Sequence, residues 1–201
     1  MSMNSNSSSF FNRWNMVRSK PYGFVWEIAL FMAITYGFHL FYKAFSSTIN
    51  ASGIMIGLND FFIETAYNQV KWIYKIILNL SFTVEPNNII RFVNQEAIAI
   101  NTGCSGTKQF LQVLVLFILY PGPWIKKTWF IPISLLAIHV VNVLRISMLG
   151  FWRAESWPYW QWFHDWPMRV IFYLVIFGFW YWWNEKLSRP VPHTSPIKSP
   201  D

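Results

Sequence analysis

Long apolar runs separated by short basic clusters dominate the chain. Uninterrupted or nearly uninterrupted apolar stretches cover about Phe24–Phe45, Thr107–Tyr120, Trp129–Leu149 and Met168–Trp183. Crossing the hydrocarbon core of a bilayer takes about 20 helical residues. The pattern therefore predicts an all-α integral membrane protein with about four transmembrane helices. The first run carries polar Glu27 and His39 and reads as an uncleaved signal anchor. The second stops at Pro121-Gly122-Pro123. Residues 46–103 hold no obvious span. Within them Val70–Phe82 is apolar but interrupted by Lys71, Lys75 and Asn79, too short to cross, and predicts an amphipathic helix lying on the membrane. From Ile89 to Asn101 the residues Ile90, Phe92, Ile98 and Ile100 alternate with more polar neighbours, predicting a short β-hairpin that leads to Cys104. Residues 21–187 then form one membrane domain. A disordered cytoplasmic N-terminus over 1–20 precedes it, and a flexible cytoplasmic tail over 188–201 follows.

Composition agrees with a lipid environment. Only 12% of the 201 residues are charged, about half the share of ordinary soluble domains. Thirteen Trp and nineteen Phe suit the aromatic belts of membrane interfaces. The net charge of +7 would suit nucleic acid, but its carriers flank the apolar runs as topology signals do. Arg13, Arg18 and Lys20 precede the first run, Lys126 and Lys127 lie between the second and third, and Lys186 and Arg189 follow the fourth. With these three clusters in the cytoplasm, the 46–103 insert and the loop before the fourth segment are extracytoplasmic. No nucleic-acid partner is expected.

This topology brings three reactive residues to one depth. Cys104 is 16 residues before Tyr120 (120 − 104) and Arg145 is 18 beyond Lys127 (145 − 127). Both therefore sit roughly 24–27 Å above the cytoplasmic turn. His164 lies in the loop just before the fourth segment, on the same side. Cys104, the single cysteine, sits in Gly103-Cys104-Ser105-Gly106. It is either a small packing residue or a reactive thiol beside a tight glycine turn and a helix N-terminus. Arg145 is the one charge in VVNVLRISML, so it is either functional or a snorkelling cation. Asn142 shares its helix face and is placed to hold the guanidinium. His164 suits proton transfer near neutral pH, or is an interfacial histidine among aromatic residues. Ser105 as nucleophile is disfavoured for want of a strand-to-helix elbow. No His-x-x-x-His or comparable spacing points to a metal, and no cofactor is expected.

Asn101-Thr102-Gly103-Cys104-Ser105-Gly106 resembles the Cys-Ser-Gly signature of exosortases and archaeosortases. Asn142-Val143-Leu144-Arg145 resembles their Asn-x-x-Arg element, and Phe163-His164 their His element. Order and spacing match across roughly residues 85–185. The chain is short, like the small members of that family, and reads Thr107-Lys108-Gln109 after the Cys-Ser-Gly element. The resemblance implies a membrane cysteine protease or transpeptidase with Cys104, Arg145 and His164 as catalytic residues, supported by Ser105, Gly106 and Asn142. It also implies secreted substrates that end in a motif, a hydrophobic helix and a basic cluster, a lipid or glycan acceptor, and a multi-pass protein of the inner (cytoplasmic) membrane with an extracytoplasmic site. The alternative is a non-catalytic membrane assembly or transport protein that uses Arg145 and His164 to bind an anionic ligand.

Overall fold

The computed structural model describes residues 14, 16, 17 and 20–188, so the expectations for the two termini fall almost wholly outside the described residues. Helix α1 (Gly23–Ala51) runs into Ser52, whose extended backbone (φ −70°, ψ 137°) breaks the axis. The Ser52 hydroxyl accepts from Met55 N at 3.3 Å and caps helix α2 (Gly53–Trp72), which ends in a wide turn over Ile73–Ile77. Three short strands follow: β1 (Phe82–Glu85), β2 (Ile89–Phe92) and β3 (Ala97–Ala99). They form an antiparallel sheet in the order β1-β2-β3. Helices α3 (Thr107–Leu119), α4 (Trp124–Ala154), α5 (Trp160–Asp165) and α6 (Pro167–Trp182) complete the chain, and α6 ends in a second wide turn over Trp183–Leu187.

Helices α1 and α4 have the length and apolar composition to cross a membrane. Helix α3 is apolar but has only 13 residues, about 20 Å of rise, so it spans less than the full hydrocarbon thickness.

The 46–103 insert differs from its sequence-based expectation. Its helix does not run over Val70–Phe82. It starts at Gly53, and Phe82 already belongs to β1. One face of α2 carries the buried residues Met55, Asn59, Ile63, Ala66, Tyr67 and Val70, with Tyr74 in the turn beyond, the three-and-four spacing of a helix packed on one side. That face meets the sheet and the C-terminal half of α4 in one core with Ile90, Phe92, Ile100, Val143 and Ile146. Gly53, Gly57, Asp60 and Glu64 dilute the hydropathy of this segment, which hides the stripe from a search for apolar runs. The residues expected as a hairpin are β2 and β3, and β1 adds a strand outside them. Asn87 (φ 63°) and Asn88 (φ 58°) turn β1 into β2, since asparagine tolerates left-handed backbone better than other side chains. The Arg91 guanidinium pairs with Glu85 across this hairpin and holds the Glu85 carboxyl below its usual range.

Two fastenings fix the sheet to α4. Tyr74 OH donates to Ile146 O at 3.1 Å in the interior, and burial pushes this phenol's pKa well up. The Asn94 amide nitrogen, at the β2–β3 turn, lies 2.8–3.0 Å from Arg153 O, Ala154 O and Ser156 Oγ, and so closes the C-terminus of α4. Gly150 makes the close approach possible, because a Cβ there would stand 1.8 Å from Tyr74 Oη. Gly150→Ala is expected to cost about 1–3 kcal/mol through overpacking, read as a lower unfolding temperature in detergent.

A second, strongly aromatic core lies at the other end, around Phe117, Tyr120, Phe130, Trp180 and Trp183. Two lysines expected to be simple topology charges also serve helix ends here. Lys127 is 3% exposed and its Nζ donates to Tyr120 O at 2.7 Å and Ile118 O at 3.0 Å. Lys126 Nζ donates to Leu187 O at 2.8 Å. Both cations meet the carbonyl ends of helices, where positive charge is favourable. Glu27 is also buried at this end, accepting a hydrogen bond from Asn184.

Candidate active site

The loop carrying Cys104 leaves β3 and enters α3, and its own hydrogen bonds shape it. Asn101 Oδ1 accepts from Gly103 N at 2.9 Å, and Asn101 O accepts from Cys104 N at 2.8 Å. Gly106 has φ +75° and a Cβ there would stand 3.1 Å from Asn142 Nδ2. It is therefore required both by its left-handed backbone and by close packing. Gly103 takes no such conformation.

Ser105 lies in the seven-residue loop 100–106 between β3 and α3 and not on a sharp strand-to-helix elbow. A second observation argues against it as a nucleophile. Its hydroxyl is 2% exposed and donates to Thr102 O at 2.8 Å while accepting from Thr107 N at 3.3 Å. Thr107 OH donates to Asn59 Oδ1 at 2.6 Å. Ser105 is thus part of the scaffold, and Asn59 of α2 is its anchor. Sequence reading missed Asn59, although a polar residue within a buried helical stripe was the available signal.

Asn142 makes a contact that the sequence did not suggest. Its amide nitrogen donates to Cys104 O at 2.8 Å and so positions the loop from α4. Asn142→Leu keeps the side-chain volume and leaves that carbonyl without its donor. If Cys104 is a reacting group, the expected result is a rate of substrate processing lower by about tenfold or more, for a hydrogen bond of about 1.5 kcal/mol that also sets its position. The amount of folded protein in the membrane should change much less.

The Cys104 side chain is half-buried, with Sγ 4.0 Å from Ala99 O. It faces a pocket of about 160 Å³ lined by Ala97–Ile100, Ile146, Leu149, Arg153, Trp160 and His164. Arg153 stacks 4.0 Å over the Trp160 ring, pairs with Glu96 at 2.9 Å and donates to Ala97 O at 3.2 Å. It was not singled out in the sequence, yet 145, 149 and 153 follow one helix face. His164 comes from α5, which returns after the turn at Ser156 (φ 54°).

His164 also lines a second pocket of about 270 Å³, shared with Arg145, Lys108, Gln109, Gln112, His39 and Gly103. The Arg145 guanidinium lies 5.6 Å from the Phe172 ring centre, and Lys108 Nζ lies 3.3 Å from His39 Nδ1. The fold therefore puts Cys104 and His164 in one pocket, and Arg145 and His164 in its neighbour. Cys104 lines the first of these pockets and Arg145 the second, and His164 lines both. A longer apolar groove of about 560 Å³ between α1 and α6 shares His39, Gln112 and Tyr173 with the Arg145 pocket.

Comparison with known proteins agrees with the motif resemblance. No curated protein and no solved structure matches the chain. The family model described as transmembrane exosortase matches residues 16–181, a stretch that contains every element of both pockets, and the chain belongs to the transmembrane exosortase family.

Proposed function

We propose that this chain is a membrane cysteine transpeptidase that cleaves secreted proteins at a C-terminal sorting signal on the extracytoplasmic side and passes them to a surface acceptor. The observation that carries it is the shared pocket of Cys104 and His164, beside the cationic pocket of Arg145. Cys104 Sγ, as thiolate, attacks the scissile carbonyl carbon next to the target's membrane helix. The C–N bond breaks and the leaving amine takes a proton from the His164 imidazolium. The resulting thioester is attacked by an amine or other nucleophile on a lipid or glycan, the C–S bond breaks, His164 takes that nucleophile's proton, and the Cys104 thiolate is released, restoring the thiolate–imidazolium pair. Arg145 supplies positive charge near the developing oxyanion, worth a few kcal/mol by analogy with oxyanion-hole donors. Water in place of the acceptor gives simple proteolysis.

The site is tested by co-expressing the chain with a secreted reporter that ends in a motif, hydrophobic helix and basic cluster taken from the same genome. A shortened, surface-held reporter is expected only when the chain is present, and its absence would reject the proposal. A membrane-impermeant maleimide should label Cys104 in intact cells. Labelling confined to permeabilised cells would reverse the orientation. One observation favours a different function: the Arg145 pocket, lined also by Lys108 and two histidines, suits an anionic ligand of a non-catalytic transport or assembly protein. In that case Cys104→Ala would remain fully functional.

A further inference from the structure

The sheet ends beside the thiol. In the order β1-β2-β3, strand β3 is an edge. Its pairing with β2 puts Ile90 opposite Ile98. Ile100 N donates to Asn88 O at 3.1 Å and Phe92 N to Glu96 O at 2.8 Å. Antiparallel strands alternate the direction of their amides residue by residue. Hence 96, 98 and 100 point their backbone groups at β2, and Ala97 and Ala99 point theirs outward, along the pocket that holds Cys104 and His164. Ala97 O is taken by Arg153 at 3.2 Å and Ala99 O lies 4.0 Å from Cys104 Sγ. The Ala99 N–H faces the same way. An unpaired edge is a template for another strand. Here the pocket lined by Ala97–Ile100 leaves open space along the edge, and the edge is continuous with the proposed catalytic pocket.

We infer that the stretch of target chain carrying the scissile bond binds in extended form as a fourth strand on the outer edge of β3. Main-chain hydrogen bonds to Ala99 align it, and one apolar side chain enters the pocket beside Ile146 and Leu149. This rests on the transpeptidase reading and adds where and how its substrate is held. Strand addition gives affinity through the backbone and leaves specificity to alternate side chains. It also fits a target whose next residues enter a membrane helix, because an extended segment has its carbonyls open to a nucleophile. Arg153, bound to Ala97 O and stacked on Trp160, closes the far end of the edge and limits the added strand to a few residues.

Proline supplies the test, since it removes one N–H and is tolerated on an edge strand where that N–H points outward. Ala99→Pro should lower processing of the secreted reporter by about tenfold or more, the loss of a hydrogen bond plus the ring's intrusion on the incoming strand. The matched control is Val84→Pro. Val84 lies on β1, the opposite edge, opposite Ile90, and its amide also points away from the sheet. It should process at the wild-type rate. Equal loss in both variants, or no loss in Ala99→Pro, overturns strand addition. A second measurement avoids any folding defect: in full-length Cys104→Ser, which binds without turnover, hydrogen exchange across residues 97–100 should slow when the reporter is present. Unchanged exchange there overturns the inference while wild-type processing continues to support the enzyme. A wild-type chain that processes nothing removes the ground for both.

Discussion

Cys104→Ala is expected to abolish processing of a sorting-signal reporter, by at least about 10³-fold, because no other group can form the acyl-enzyme. The loss should be chemical and not structural. The Cys104 loop is held by backbone and neighbouring side chains: Cys104 N to Asn101 O, Asn142 to Cys104 O, and the hydroxyls of Ser105 and Thr107 tied to Thr102 and Asn59. The thiol itself makes only a long contact with Ala99 O, so its removal should leave expression and thermal unfolding close to wild type. Cys104→Ser should be equally inactive, since a neutral hydroxyl is a much weaker nucleophile. Undiminished cleavage in the alanine variant ends the thiol mechanism and favours the anion-binding alternative.

Arg145→Lys is expected to lower the rate by about 10²-fold or more, comparable with loss of an oxyanion donor, although it keeps the charge. A guanidinium offers a rigid planar fork of donors, whereas an ammonium is a compact point charge on a flexible stem. If Arg145 stabilises charge that develops only in the transition state, kcat falls and KM changes little. Wild-type kinetics in Arg145→Lys would reduce Arg145 to a topological cation. A rise in KM alone would make it a substrate-binding group in the second pocket, where it stands with Lys108 and His39.

Much of the molecule was legible from one sequence because membrane helices announce themselves. An apolar run with basic flanks carries its meaning locally, so α1 and α4 were found from composition and length. The Cys-Ser-Gly, Asn-x-x-Arg and His elements were equally readable, and the family match spans them. The failures have a common origin. Helix α2 has Gly53, Gly57, Asp60, Glu64, Asn68 and Gln69 scattered among its apolar residues, so its buried stripe from Met55 to Tyr74 never forms an apolar run. Lys126 and Lys127 looked like topology charges because nothing in their neighbourhood reveals that they meet carbonyls at Leu187 and Tyr120. The Asn142 amide nitrogen also reaches Cys104 O, 38 residues away, a contact that its helix spacing to Arg145 does not reveal.

The sequence alone determined the solvent this chain lives in, its two clearest spans, and the residue types available for chemistry, because these depend on side-chain hydropathy and on short motifs. Tertiary structure alone decided that Cys104 and Arg145 line neighbouring pockets that share His164, that Asn59 and Asn142 hold the loop of Cys104, and that the β3 edge of the sheet lies beside the thiol. Those facts depend on residues up to 60 positions apart (164 − 104) meeting in space, and no local pattern encodes which distant backbone a given amide will meet.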